Sequence, residues 1–266
     1  MRADSYYAMG RTHAVCEDYA RVGLLENGLP YALLADGCSS SQDTDIGARV
    51  LVLSAENMLQ VCGSETFPAS RCIALAASQQ RNLKIPVECL DATLMVVHPI
   101  TETSVEVLVY GDGVVAVQGK EGEVTIYQIE YPSGAPDYLS YRLNPARYGN
   151  YKEFFGTTRK LRVFQNGAWG EEQESNGPFA LNFDMGELKT VLLFSDGVAS
   201  FQEWDEDGLF PHSVPVEQVV EQVFAIKNWN GPFITRRVRK FLSGFCPKNR
   251  WQHNDDFSVV AVTTRD

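Results

Sequence analysis

The chain lacks the features that would place it in several broad protein classes. No apolar run approaches the ~20 residues that a membrane-spanning helix needs. The first residues, Met1 to Tyr7, hold no apolar core of a secretory signal. We therefore expect a cytoplasmic protein with no membrane partner. Six cysteines (Cys16, Cys38, Cys62, Cys72, Cys89 and Cys246) are scattered without CxxC spacing, which argues against a zinc ribbon and against a small disulfide scaffold. Positive charge is also short. Lys and Arg total 23 against 34 Asp and Glu, a formal net charge of -11, so the basic surface of a general nucleic-acid binder is missing. No repeat, low-complexity tract or Pro/Gly/Ser linker divides the 266 residues, and we expect a single domain over 1–266. Hydrophobic residues at 44% and charged residues at 21% are ordinary globular values, so a substantial core is available at this length.

What the chain does have is acids at strand ends. Tyr31 to Ala35 runs into Asp36-Gly37, and Val191 to Ser195 runs into Asp196-Gly197. In the opposite sense, Asp18 precedes Tyr19 to Leu25, and Asp255-Asp256 precede Phe257 to Val262. Short runs rich in Val, Leu and aromatics read as buried strands. In an antiparallel sheet the C-terminal end of one strand lies beside the N-terminal end of its neighbour. Alternating neighbours would bring all four acids to one rim. Carboxylates crowded there repel each other and are costly to bury unpaired, so they call for a cation. Oxygen-only ligands suit a hard divalent ion, Mg²⁺ or Mn²⁺.

The remaining pattern orders the elements. Glu26-Asn27-Gly28 is a hairpin signal between the first strong strand runs. Helical spacing of Ile46, Val50 and Leu53 predicts a helix over 43–61, with Ser41 or Asp43 available as its cap. A second helix is expected over 68–84, stopped before Pro86. Four strands follow in meander order over 93–98, 105–110, 114–118 and 124–129. Residues 131–189 show little periodicity and read as loops with short strands. Strands at 190–195 and 257–263 bracket two helices near 216–225 and 232–243. Helix pairs beside two strand blocks predict an α+β fold: a four-layer α-β-β-α sandwich of two antiparallel sheets packed face to face.

Gly10 to Asp18, Ala35-Asp36-Gly37, Asp91-Ala-Thr93, Gly111-Asp112-Gly113, Ser195-Asp196-Gly197 and Asp255 to Val259 occur in one order. That order, over nearly the whole chain, resembles the metal-dependent type-2C protein serine/threonine phosphatases, especially their divergent bacterial branch. The resemblance implies that Asp36 bridges two divalent cations, Mn²⁺ or Mg²⁺. It implies that the Gly37 carbonyl binds one ion, that Asp196 and Asp255 bind the other, and that Glu17 and Asp18 complete the shell. Two ions about 3.5–4 Å apart share a water and present a bridging hydroxide to phosphorus, so no cysteine or serine nucleophile is needed. The implied partner is a phosphorylated protein, the target of a kinase, hydrolysed at phosphoserine or phosphothreonine.

The chain departs from the family pattern at three places. His13 stands where the family often has an arginine that holds substrate phosphate, so His13 is the candidate for phosphate and catalysis. Arg11, expected on the same strand face as His13, is a minor candidate. Cys38 occupies the position of the eukaryotic general-acid histidine and is given no acid role. Asp112 matches one ligand of the family's third metal, but Ser200 replaces the other, so a third ion is doubtful. The Ser200, Cys38 and His13 changes also leave open a pseudophosphatase that only binds phosphoproteins. A phosphatase of small phosphomonoesters is the remaining alternative.

Overall fold

The structure is a computed structural model that describes residues 1–264. One sheet joins, in spatial order, Arg2–Ala8, Phe257–Thr263, Leu188–Phe194, Gly113–Gly119, Val124–Glu130, Thr158–Gln165 and Gln173–Asn176. The other joins Phe179–Asp184, Ser104–Tyr110, Ala92–Pro99, Pro30–Gly37 and Asp18–Leu24. Every neighbouring pair in these two sheets is antiparallel. A small third sheet sets Phe201–Trp204 between Pro211–Ser213 and Trp251–His253.

Side-chain alternation explains the layers. In Pro30–Gly37, Ala32 and Leu34 face the other sheet and pack with Met95, Val107, Val115, Leu193 and Val260. Tyr31, Leu33 and Ala35 point the other way, onto the helices Thr44–Cys62 and Ala69–Leu83. The opposite sheet repeats the scheme: Leu192, Phe194 and Val259 meet the helices Val216–Phe224 and Phe233–Lys240. The four-layer α-β-β-α sandwich is thus the observed architecture. Leu34 and Leu193 are fully buried between the sheets, and truncating either to Ala would cost about 2–5 kcal/mol.

Two local expectations are corrected. Residues 131–189 hold strands, as expected, which extend both sheets, but they also hold the helix Pro145–Phe154, which was not expected. That helix has no apolar stripe. It is set instead by Pro145 in its first turn and by Asn144, whose side chain accepts from the Ala146 and Arg147 N–H groups. Neither Ser41 nor Asp43 caps the first long helix. Asp43 precedes it in a left-handed conformation without a side-chain bond, and the Ser41 hydroxyl donates to Asp91 at 3.0 Å.

Candidate metal centre and active site

The acids gather where two rims meet. On one sheet Asp18 lies directly opposite Asp36, and Asp36 opposite Thr93. On the other sheet Phe194 pairs with Val259, so the chain leaves one strand at Ser195-Asp196 and enters its neighbour from Asp255-Asp256. Gly197 lets these two segments touch, because a Cβ there would collide with the Asp256 carbonyl oxygen. Gly111 has φ +118, and a Cβ on it would run into Thr93, so the turn carrying Asp112 is pressed against the same rim.

Asp36, Gly37, Asp112, Asp196 and Asp255 line one cleft of about 120 Å³, together with Cys38, Ser39, Thr93, Gly134, Pro136 and Tyr138. Burial first, then Asp18, Asp196 and Asp112, push the Asp36 carboxyl well above its usual range. Burial and Asp196 raise Asp112 to about 7, although the Thr93 hydroxyl donates to it at 2.8 Å. Asp18 lies behind the cleft at 1% exposure. It accepts from Ser195 Oγ at 2.8 Å through one oxygen, and its other oxygen is buried without a partner. Burial, against the help of Ser195 and Ser258, carries its pKa to about 8. Asp255 is raised by burial and Asp196, less so because the Asp256 N–H and His13 oppose them. Its backbone is fixed by Ser200 Oγ at 3.2 Å and by His253 Nδ1 on its carbonyl at 2.9 Å. Hard oxygen donors, mutual repulsion and an orphaned buried carboxylate oxygen together fit divalent cations.

His13 and Arg11 do not line this cleft. Residues 9–17 form turns, not a strand, so the expected shared face of Arg11 and His13 does not arise. The Arg11 guanidinium bonds the Gln252 side chain, lies 5.8 Å from the Trp204 ring centroid, and borders a separate groove of about 730 Å³. His13 sits beside the cleft, with Nε2 3.2 Å from Asp255 and Nδ1 3.2 Å from Asp256 and 3.7 Å from Glu17. Burial works against its charge, but Asp256, Asp255 and Glu17 outweigh it and raise its pKa above 6.5. His13, Glu17 and Asp256 bring ligand-type atoms within 4.8 Å of one another. The two acids are already partnered, whereas His13 Nδ1 is buried without a hydrogen bond. Asp256 accepts the Gly10 and Glu17 N–H groups at 2.6 and 2.5 Å, and Glu17 accepts Thr44 Oγ1 at 2.6 Å.

Asp256, Thr93 and Tyr138 were not singled out from sequence. Asp256 was visible as the second acid of its pair, and Thr93 as a member of the Asp91-Ala-Thr93 motif. Tyr138, in an aperiodic stretch, gave no signal.

The model of the protein phosphatase 2C family matches residues 9–243. The chain belongs to the protein phosphatase 2C family. Solved structures share its fold at low identity. A bacterial serine phosphatase superposes with TM-score 0.60 at 13% identity, covering 100% of this chain and 98% of that one. Stp1, a serine/threonine phosphatase from Staphylococcus aureus, gives 0.57 at 11%, with 99% and 95% covered. The catalytic domain of PstP, a serine threonine protein phosphatase in complex with two manganese ions, gives 0.54 at 16%, with 100% and 98% covered. No curated protein matches the chain at a significant level. Among the described residues of this phosphatase 2C protein, no helix is long and apolar enough to cross a membrane.

Proposed function

We propose that the chain is a metal-dependent protein serine/threonine phosphatase, acting as a single domain. The observation that carries this reading is the cleft itself, where Asp36, Asp112, Asp196 and Asp255 converge with no side-chain cation among its lining residues. Asp36 would hold both ions, the Gly37 carbonyl would hold one of them, and Asp196 with Asp255 would hold the other. Glu17 and Asp18 stand behind them, and Asp112 extends the set toward Thr93. When bound, Mn²⁺ or Mg²⁺ supplies Lewis-acid activation of water and neutralises charge on the phosphoryl group.

The chain's own residues then do the positioning. Ser195 holds Asp18, Thr44 holds Glu17, and Ser200 and His253 hold the backbone of Asp255. Fixed carboxylates spare reorganisation during the reaction. His13, raised in pKa by three carboxylates, keeps Asp255 and Asp256 in place from the side. The substrate is a phosphorylated protein, consistent with the family to which the chain belongs.

The test is phosphate release from a phosphoserine or phosphothreonine peptide in Mn²⁺. EDTA should abolish it, and Asp36→Asn should lower kcat/KM by ~10²-fold or more. Activity that persists through both treatments overturns the reading.

A further inference from the structure

A phosphatase cleft needs a donor for the phosphoryl oxygens as well as acids for metal, and the side chains expected in that role lie elsewhere. Arg11 is turned to Gln252 and Trp204. His13 is enclosed by Asp255, Asp256 and Glu17. Within the cleft, Thr93 Oγ1 already donates to Asp112 and accepts its N–H. Cys38 Sγ lies 3.1 Å from Ser40 Oγ, and a thiol is a weak donor. Tyr138 differs from all of these. It lines the cleft alongside the four acids, and its phenol lies near the Asp112 and Asp36 carboxylates and the Cys38 thiol, the last a poor acceptor. An O–H so placed gains by exchanging a neutral sulfur for an anionic oxygen, since charge-assisted hydrogen bonds are about twice as strong.

The phenol is also held in place. Tyr138 is 6% exposed, and its N–H donates to the Pro136 carbonyl at 3.0 Å. Neighbouring Asp137, itself buried, is gripped by both terminal nitrogens of Arg142 at 3.1 and 2.8 Å. Arg142 also donates to the Tyr138 carbonyl at 3.1 Å, and the Tyr138 and Tyr141 rings pack at 5.5 Å. A donor with this few degrees of freedom loses little entropy on binding a ligand.

We propose that Tyr138 is the phosphate-binding side chain of this cleft, donating its phenolic O–H to a non-bridging oxygen of the substrate phosphoryl group. The inference rests on the phosphatase reading of the cleft and adds the recognition element that the metal ligands do not supply. No bond is made or broken at the phenol, and its proton stays on the oxygen throughout. It also assigns a task to residues 134–142, whose Gly134, Pro136 and Tyr138 line the cleft.

The test compares the wild-type protein with Tyr138→Phe, both loaded with Mn²⁺, by calorimetric titration with inorganic phosphate. Loss of a hydrogen bond to a charged group should raise the phosphate Kd by ~10-fold or more. Mn²⁺ affinity should not change, and the thermal midpoint should stay within about 2 °C. With p-nitrophenyl phosphate, KM should rise by a similar factor while kcat moves less than about threefold. Phosphate affinity equal to wild type, with Mn²⁺ still bound, overturns the proposal even if the enzyme turns over normally. A wild-type protein that binds phosphate through Tyr138 but hydrolyses no phosphoester would overturn the phosphatase reading and leave this proposal standing.

Discussion

Asp36 and Asp256 are carboxylates at the same end of the molecule, yet their surroundings are opposite. Asp256 is buried at 2% exposure and has three partners from this chain: the Gly10 N–H, the Glu17 N–H and the His13 ring. Asp36 faces Asp18, Asp196 and Asp112, and every one of those neighbours disfavours its charge. One acid is satisfied by the fold and serves to join distant segments. The other is left in deficit, and a deficit of several like charges suits a cation. Counting acids would rank both corners alike; counting their donors separates them.

The largest expected effect follows from the deficit. Burial pushes Asp18 up to about 8 and Asp112 up to about 7, and it raises Asp36 and Asp255 as well. In the unfolded chain such groups titrate near ~3.9. The folded protein therefore binds these protons more tightly than the unfolded one. Their contribution to stability is fully present below ~pH 4 and is lost as pH rises through about 7 to 8. In EDTA, the thermal midpoint should fall by roughly 5–10 °C between about pH 5.5 and about pH 8. Saturating Mn²⁺ should remove most of that slope. A metal-free protein with the same midpoint at both pH values would break the contrast between the two acids.

A smaller effect sharpens it through matched substitutions. Asp256→Asn keeps one acceptor but sets an NH₂ group against a backbone N–H, and should destabilise by about 1–3 kcal/mol in urea titrations. Asp36→Asn, measured in EDTA near pH 8, removes one member of a repelling set and should stabilise by ~1 kcal/mol. Opposite signs are the prediction. Two losses of equal size would mean that Asp36 is as well partnered as Asp256.

Why one acid was legible in sequence and the other was not has a physical answer. Asp36 and Asp196 stand where strongly apolar runs meet Asp-Gly, and strand periodicity is a local signal that survives without tertiary information. The same periodicity located the central strands of both sheets and both helix pairs. Asp255 and Asp256 are adjacent, so they point in different directions, and composition cannot tell which one enters the cleft. That depends on Gly197 and Gly10 allowing the backbones to close. Residues 131–155 were opaque for a related reason. Asn144, Pro145 and the Asp137–Arg142 pair order that stretch through specific contacts, with no repeating apolar face to announce them. Tyr138 therefore has no sequence signature, whereas His13 and Arg11 precede the Glu17-Asp18 pair and read as phosphate donors.

Arg11 supplies the smallest prediction and the most direct check on that choice. Its guanidinium is exposed, lies near the Trp204 ring and bonds the Gln252 side chain. Those contacts border the 730 Å³ groove, not the cleft of acids. An exposed residue with such partners contributes little, so Arg11→Ala should change stability by less than about 0.5 kcal/mol. Turnover of a small phosphoester in Mn²⁺ should stay within about twofold of wild type, because a 0.5 kcal/mol change in barrier is no more than that. A tenfold loss in kcat/KM on p-nitrophenyl phosphate, which is too small to reach the groove, would place Arg11 on the phosphoryl group during catalysis. Residues 9–17 would then have to rearrange on substrate binding, and the separation between a satisfied corner and an unsatisfied cleft would hold only for the free protein.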